Sequence, residues 1–195
     1  MCGPLVRPAE LAGGHSHTWY YNGAGAPAAV AGTALNAITS ASNTVAKGLN
    51  RCGLPADLPT VYQYAGATTA KAQISAEATC TGNDGRSVTS WGALPPKYLG
   101  YACTYFRSNG TVLAADVLLD NVANAWFTTL PANCRLAYDL ETTVAHERLH
   151  TAGLAHVDQA TSATQTMAPS SRPCDTSRRL LGAGDHAGLK ALAAR

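Results

Sequence analysis

One short stretch constrains this chain more than any other: His146 to His156, reading H-E-R-L-H-T-A-G-L-A-H. His146 and His150 stand at i and i+4, so on a helix both imidazoles project from one face. Two ring nitrogens at one place can grip a divalent cation, and imidazole suits zinc. Glu147 lies beside them, near such a cation but not aimed at it, where a carboxylate can take a proton from water. Gly153 falls where the helix must end, because glycine enters the left-handed region without steric penalty and lets the chain turn sharply. Beyond that turn His156 returns as a third ligand. Three protein ligands leave one coordination position open, which is the arrangement of a catalytic rather than a structural zinc site. The expected metal set is therefore His146, His150 and His156, with Glu147 as general base and Gly153 as the supporting turn.

The chain is long enough, at 195 residues, to bury a core as one domain over residues 1–195. A net charge of +2 is too small to imply nucleic acid or an anionic membrane as partner. No stretch approaches the roughly 18 apolar residues of a membrane span. The partners expected are a protein or peptide substrate, with no nucleic acid and no membrane, and the chain is expected to be a monomer.

Six cysteines, Cys2, Cys52, Cys80, Cys103, Cys134 and Cys174, are scattered with no C-x-x-C pair. An even count without metal spacing reads as up to three disulfides and an oxidising, extracellular compartment. Buried free thiols are the alternative, and the sequence does not choose a pairing. Met1 to Gly14 lacks the apolar run of a signal peptide as it stands. Residues 1–15, with their Gly and Pro, read as a flexible arm.

Along the chain, His17 to Tyr21 reads as a first strand. Residues 26–49 are Ala-rich and read as a long helix, with Gly48 and Gly53 as stop signals. Val61 to Tyr64 and Ala70 to Thr79 read as strands, and residues 81–97, with Gly, Asn, Asp and Pro, as an exposed loop. Tyr98 to Phe106 and Thr111 to Leu119 flank Ser108-Asn109-Gly110, a hairpin signal. Asp139 to Ala152 reads as a buried helix capped by Asp139, with Glu141 in its first turn. Residues 157–182 read as irregular, and Gly184 to Ala194 as a closing helix.

The motif from His146 to His156 resembles that of the metzincin metallopeptidases. Thr166-Met167-Ala168-Pro169 resembles the family's Met-turn, which implies a supporting role for Met167 beneath the metal. Gly184 to Leu192, G-D-H-A-G-L-K-A-L, resembles the start of the matrixin closing helix. Ala114 to Asp120, A-A-D-V-L-L-D, looks like the edge strand along the matrixin cleft. The resemblance covers most of residues 17–194, tightly at the zinc motif and loosely elsewhere. It implies an α/β (α+β) fold: a twisted mixed, mostly parallel sheet, a long backing helix, an active-site helix and a small C-terminal part ending in a helix. It also implies peptide binding by strand addition and a specificity pocket walled by Ala168 to Pro173.

Some positions depart from that pattern. Leu149 stands where matrixins carry Gly. No Tyr follows the Met-turn closely enough to act as a further ligand, and a second, structural zinc site has no counterpart. A calcium site is possible but no motif supports one, and Asp116, Asp120 and Asp158 read as surface carboxylates. Arg51 to Asp57, R-C-G-L-P-A-D, resembles a matrixin cysteine switch with one extra residue, so Cys52 is either a switch thiol or a disulfide cysteine. His15 and His17 read as an exposed loop pair, and His186 as a surface or packing residue. The expected function is zinc-dependent hydrolysis of peptide bonds by a metal-activated water. The alternative is a catalytically silent binding module braced by zinc.

Overall fold

In the first strand, β1 (Ser16–Tyr21), His17, Trp19 and Tyr21 are buried and Thr18 is exposed, the alternation a pleated strand imposes. The structure is a computed structural model and describes residues 2–10 and 16–194. β1 joins β2 (Val61–Ala67), β3 (Ser87–Gly92), β4 (Gly100–Phe106) and β5 (Val112–Asp120) in a five-stranded sheet of order β2-β1-β3-β5-β4. All neighbours run parallel except β4, which is antiparallel to β5. A short parallel pair, β6 (Ala125–Phe127) and β7 (Ala137–Asp139), lies outside this sheet. The expected mixed, mostly parallel α/β sheet is thus present.

Two helices cover the sheet. α1 (Ala34–Lys47) ends at Gly48, whose φ of 70° lets its N–H reach the carbonyls of Thr44 and Val45. α2 (Leu140–Ala152) starts at Asp139, whose carboxylate accepts from Thr142 N at 3.0 Å. They pack on one another and on the strands around Trp19, Ile38, Leu119, Val144 and Leu149, all buried. Leu149 is fully buried and fills this core. A short α3 (Gln159–Ser162) and the closing α4 (Ala183–Ala193) complete the chain. α1 is shorter than the expected helix. Residues 28–33 form turns instead, in a stretch that follows Pro27 and contains Gly32, a poor helix residue.

Four expectations about the sheet and the carboxylates around it are overturned. Ala70 to Thr79 is not a strand. Its backbone is satisfied partly by local turns, such as Ser75 N to Thr79 O, and partly by side chains: Asn22 Nδ2 donates to the carbonyls of Thr69 and Ala70, Ser90 Oγ accepts from Ala72 N, and Asp116 Oδ2 accepts from Gln73 N. The expected loop at 81–97 contains β3, a buried strand between β1 and β5. The strand at Ala114 to Asp120 is interior rather than the edge, because β4 lies outside it. Asp116 and Asp120 are buried rather than on the surface. Asp116 accepts from Gln73 N and Val88 N, and Asp120 from Leu94 N, Ala123 N and Asn124 N, so each carboxylate knits a loop to the sheet. Asp158 is exposed and caps α3 through Ala160 N.

Three disulfides join Cys2 to Cys52, Cys80 to Cys103 and Cys134 to Cys174. Cys52 is therefore a disulfide cysteine and not a switch thiol. Residues 2–10, within the segment read as an arm, lie against the body. Besides the Cys2 bridge, Ala9 O accepts from Ala155 N at 2.8 Å and Glu10 pairs with Leu154 as an isolated β-bridge. No helix among the described residues is long and apolar enough to cross a membrane.

Candidate metal centre

α2 carries His146 and His150 one turn apart, as the spacing requires, and it stops at Gly153. Gly153 has a φ of 110°, and its N–H returns to the carbonyl of His150 at 2.9 Å. That reversal does two things. It brings His156 back so that its Nε2 lies 3.0 Å from both His146 Nε2 and His150 Nε2. It also places Leu154 O to accept from His150 Nδ1 at 2.8 Å. His146 Nδ1 donates in the same way to Thr166 O at 2.6 Å.

A carbonyl can only accept, so the proton of each of these two rings sits on Nδ1 and the Nε2 lone pairs face His156. Nitrogens bound tetrahedrally at about 2.0–2.1 Å lie roughly 3.3 Å apart, close to the spacing seen to His156. The three histidines could hold a metal ion, and imidazole donors so oriented are compatible with zinc. Burial, aided by the neighbouring imidazoles, lowers His146 well below its usual range and His150 to about 4; burial alone lowers His156. All three are thereby neutral near pH 7, the form that ligates.

Glu147 is buried and accepts no hydrogen bond from any described residue; burial alone raises its pKa to about 8. It borders a cleft of about 690 Å³ that also touches the three histidines, Gly100 and Tyr138. The cleft's strand is β4, and Gly100 leaves the space that Glu147 occupies.

Behind the site, Arg148 is buried under the same helix. Its guanidinium lies 4.6 Å over the Trp19 ring, donates to Ser42 Oγ at 3.0 Å and to Thr89 Oγ1 at 2.9 Å. α2 is thereby tied to α1 and the sheet by a planar fork of donors.

The turn that carries Thr166 is itself held from α4. The carboxylate of Asp185 accepts from Thr166 N at 2.7 Å, Met167 N at 3.1 Å and Gly182 N at 2.9 Å. Met167 is fully buried in that turn. His17 is buried in β1 and stacked on Tyr62 rather than lying in an exposed loop, while His15 lies outside the described residues. His186 is a buried packing residue bonded to Pro55 O at 2.9 Å.

Gly100, Asp185 and the carbonyls of Thr166 and Leu154 escaped the sequence reading. The only local signal for any of them is Gly182 and Asp185, spaced as a helix N-cap and the carboxylate that reaches back to it. No protein-family model matches this chain, and no curated protein sequence matches it.

Proposed function

We propose that the chain is a secreted zinc-dependent endopeptidase of the metzincin type. The observation that carries the reading is the pairing of three convergent imidazoles with a buried, unbonded carboxylate, Glu147, at the wall of an open cleft. A purely structural site closes its metal with four protein ligands and needs no such carboxylate. The three disulfides support an oxidising, extracellular setting.

His146, His150 and His156 would hold the zinc, which would supply a lowered pKa for water and a polarised carbonyl. The chain's own residues do the rest. Glu147 removes a proton from the attacking water and returns it to the amine nitrogen that leaves. Thr166 and Leu154 hold two imidazoles in the ligating tautomer. β4, at the edge of the sheet, offers an extended peptide a row of backbone partners, and alternate side chains of that peptide then point into the cleft. Of the stretch from Ala168 to Pro173, Pro169, Ser170 and Ser171 border the cleft beside these histidines.

The test is cleavage of unfolded casein by the zinc-loaded chain and by Glu147→Ala, with zinc measured in both. The expected result is one zinc in each and hydrolysis by the wild type alone. One zinc in each with no hydrolysis favours the braced binding module, and no zinc in either sinks the proposal.

A further inference from the structure

The segment after Met167 has no ladder to satisfy its backbone, yet it forms one side of the cleft: Pro169, Ser170 and Ser171 border it together with His146 and His156. Its two ends are fastened separately. Asp185 holds the N–H groups of Thr166 and Met167, and the Cys134–Cys174 disulfide, with Cys174 N donating to Ala137 O, holds the far end. The middle depends on one side chain, with help from Gln159 Oε1, which accepts from Ser170 N at 3.1 Å.

That side chain is Arg178, which is only 4% exposed. Its Nη1 donates to Gln165 O at 3.2 Å and to Ala168 O at 3.4 Å; its Nη2 donates to Ser170 O at 2.8 Å and to Ser171 Oγ at 3.0 Å. Among the described residues it forms no ion pair. The carbonyl of Arg178 in turn accepts from Thr166 Oγ1 at 3.2 Å, so the arginine and the wall are locked in register. A guanidinium presents its donors in a rigid planar fork, whereas an ammonium is a point and cannot span four such acceptors.

We propose that Arg178 is a positioning residue that sets the cleft wall from Ala168 to Ser171, and through it selects the substrate side chain lodged beside the metal. This rests on the peptidase reading above. Because the guanidinium is buried and its four Nη–H groups are spent on Gln165, Ala168, Ser170 and Ser171, it does not receive an acidic substrate side chain. The wall itself presents Pro169, Ser170 and Ser171, and the subsite takes an uncharged side chain.

The experiment compares zinc-loaded wild type, Arg178→Lys and Arg178→Met. A peptide series that varies only the residue after the scissile bond gives kcat and KM separately, while hydrogen exchange reports the amides of Ala168, Ser170 and Ser171. The expected result is unchanged zinc content and a ratio of kcat/KM between small and large uncharged side chains that moves by about tenfold, mostly through KM. Arg178→Lys is expected to fall between wild type and Arg178→Met. Those three amides are expected to exchange at least about tenfold faster in Arg178→Met, with α2 unaltered. An unchanged ratio overturns the proposal, as does a wild type that prefers an acidic side chain and loses that preference in Arg178→Met. If the wild type cuts no peptide, the peptidase reading fails by itself. Exchange then decides the wall: faster exchange keeps Arg178 as its brace, and equal exchange removes it. Should Arg178→Met not fold, Arg178→Lys carries both readouts.

Discussion

Gly100 of β4 and Glu147 of α2 share one space: a methyl group built on Gly100 would come within 2.9 Å of both Cγ and Oε1 of Glu147. Such contacts force one partner to move, and Glu147 is hemmed in by burial. Gly100→Ala is expected to displace the carboxylate and lower kcat/KM by about 10²-fold, with zinc content unchanged. Steady-state kinetics with metal analysis checks this, and wild-type kinetics in the variant would remove the constraint.

The burial of Glu147 has a signature in the metal-free protein. Its pKa is raised from 4.5 to about 8. Between those values the folded chain keeps a proton that the unfolded chain has released, so stability falls as pH rises through the window. Glu147→Gln carries no such proton. Thermal unfolding in the presence of a chelator, from about pH 5 to about pH 9, is expected to show the variant gaining on the wild type as pH rises. A gap that stays constant with pH would contradict the buried carboxylate.

Asp185 accepts from three backbone N–H groups, and one of the residues it holds, Thr166, orients His146. Asp185→Ala leaves those buried donors unpaired, at about 1–3 kcal/mol for each donor left unsatisfied. Urea unfolding is expected to show a loss of at least about 3 kcal/mol, and competition with a chelator is expected to show weaker zinc binding. A loss below about 1 kcal/mol would mean that water or a neighbour replaces the carboxylate.

Cys52 is joined to Cys2 across a sequence separation of 50. The paired variant Cys2→Ser/Cys52→Ser is expected to lose about 2–4 kcal/mol and to gain no hydrolytic activity. Thiol labelling of the native protein is expected to find no free cysteine. A variant that becomes more active than wild type would restore the switch.

The parts of the molecule legible in the sequence are those whose cause is local. The shared face of His146 and His150 on α2 follows from helical spacing, the turn at Gly153 from its left-handed backbone, the β4–β5 hairpin from Ser108-Asn109-Gly110, and the α2 cap from Asp139. β3 was not legible. Ser87, Thr89 and Ser90 look like loop residues, and they are buried in a strand because Ala115 N, Arg148 Nη2 and Ala72 N supply their hydroxyl oxygens with partners from distant segments. The carboxylates of Asp116 and Asp120 were misplaced for the same reason: Gln73 N and Val88 N bond the first and Leu94 N the second, all from segments distant in sequence.

By itself the sequence determined that His146, His150 and His156 can converge, that Glu147 lies beside them and that the chain turns at Gly153, because i and i+4 spacing and glycine's conformational freedom act within a few residues. Tertiary structure alone decided that β4 rather than β5 borders the cleft, that Thr166 and Leu154 set the imidazole tautomers, and that Asp185 and Arg178 hold the wall. Strand order, burial and the satisfaction of buried polar groups depend on which distant segments meet, and that is settled only when the whole core closes.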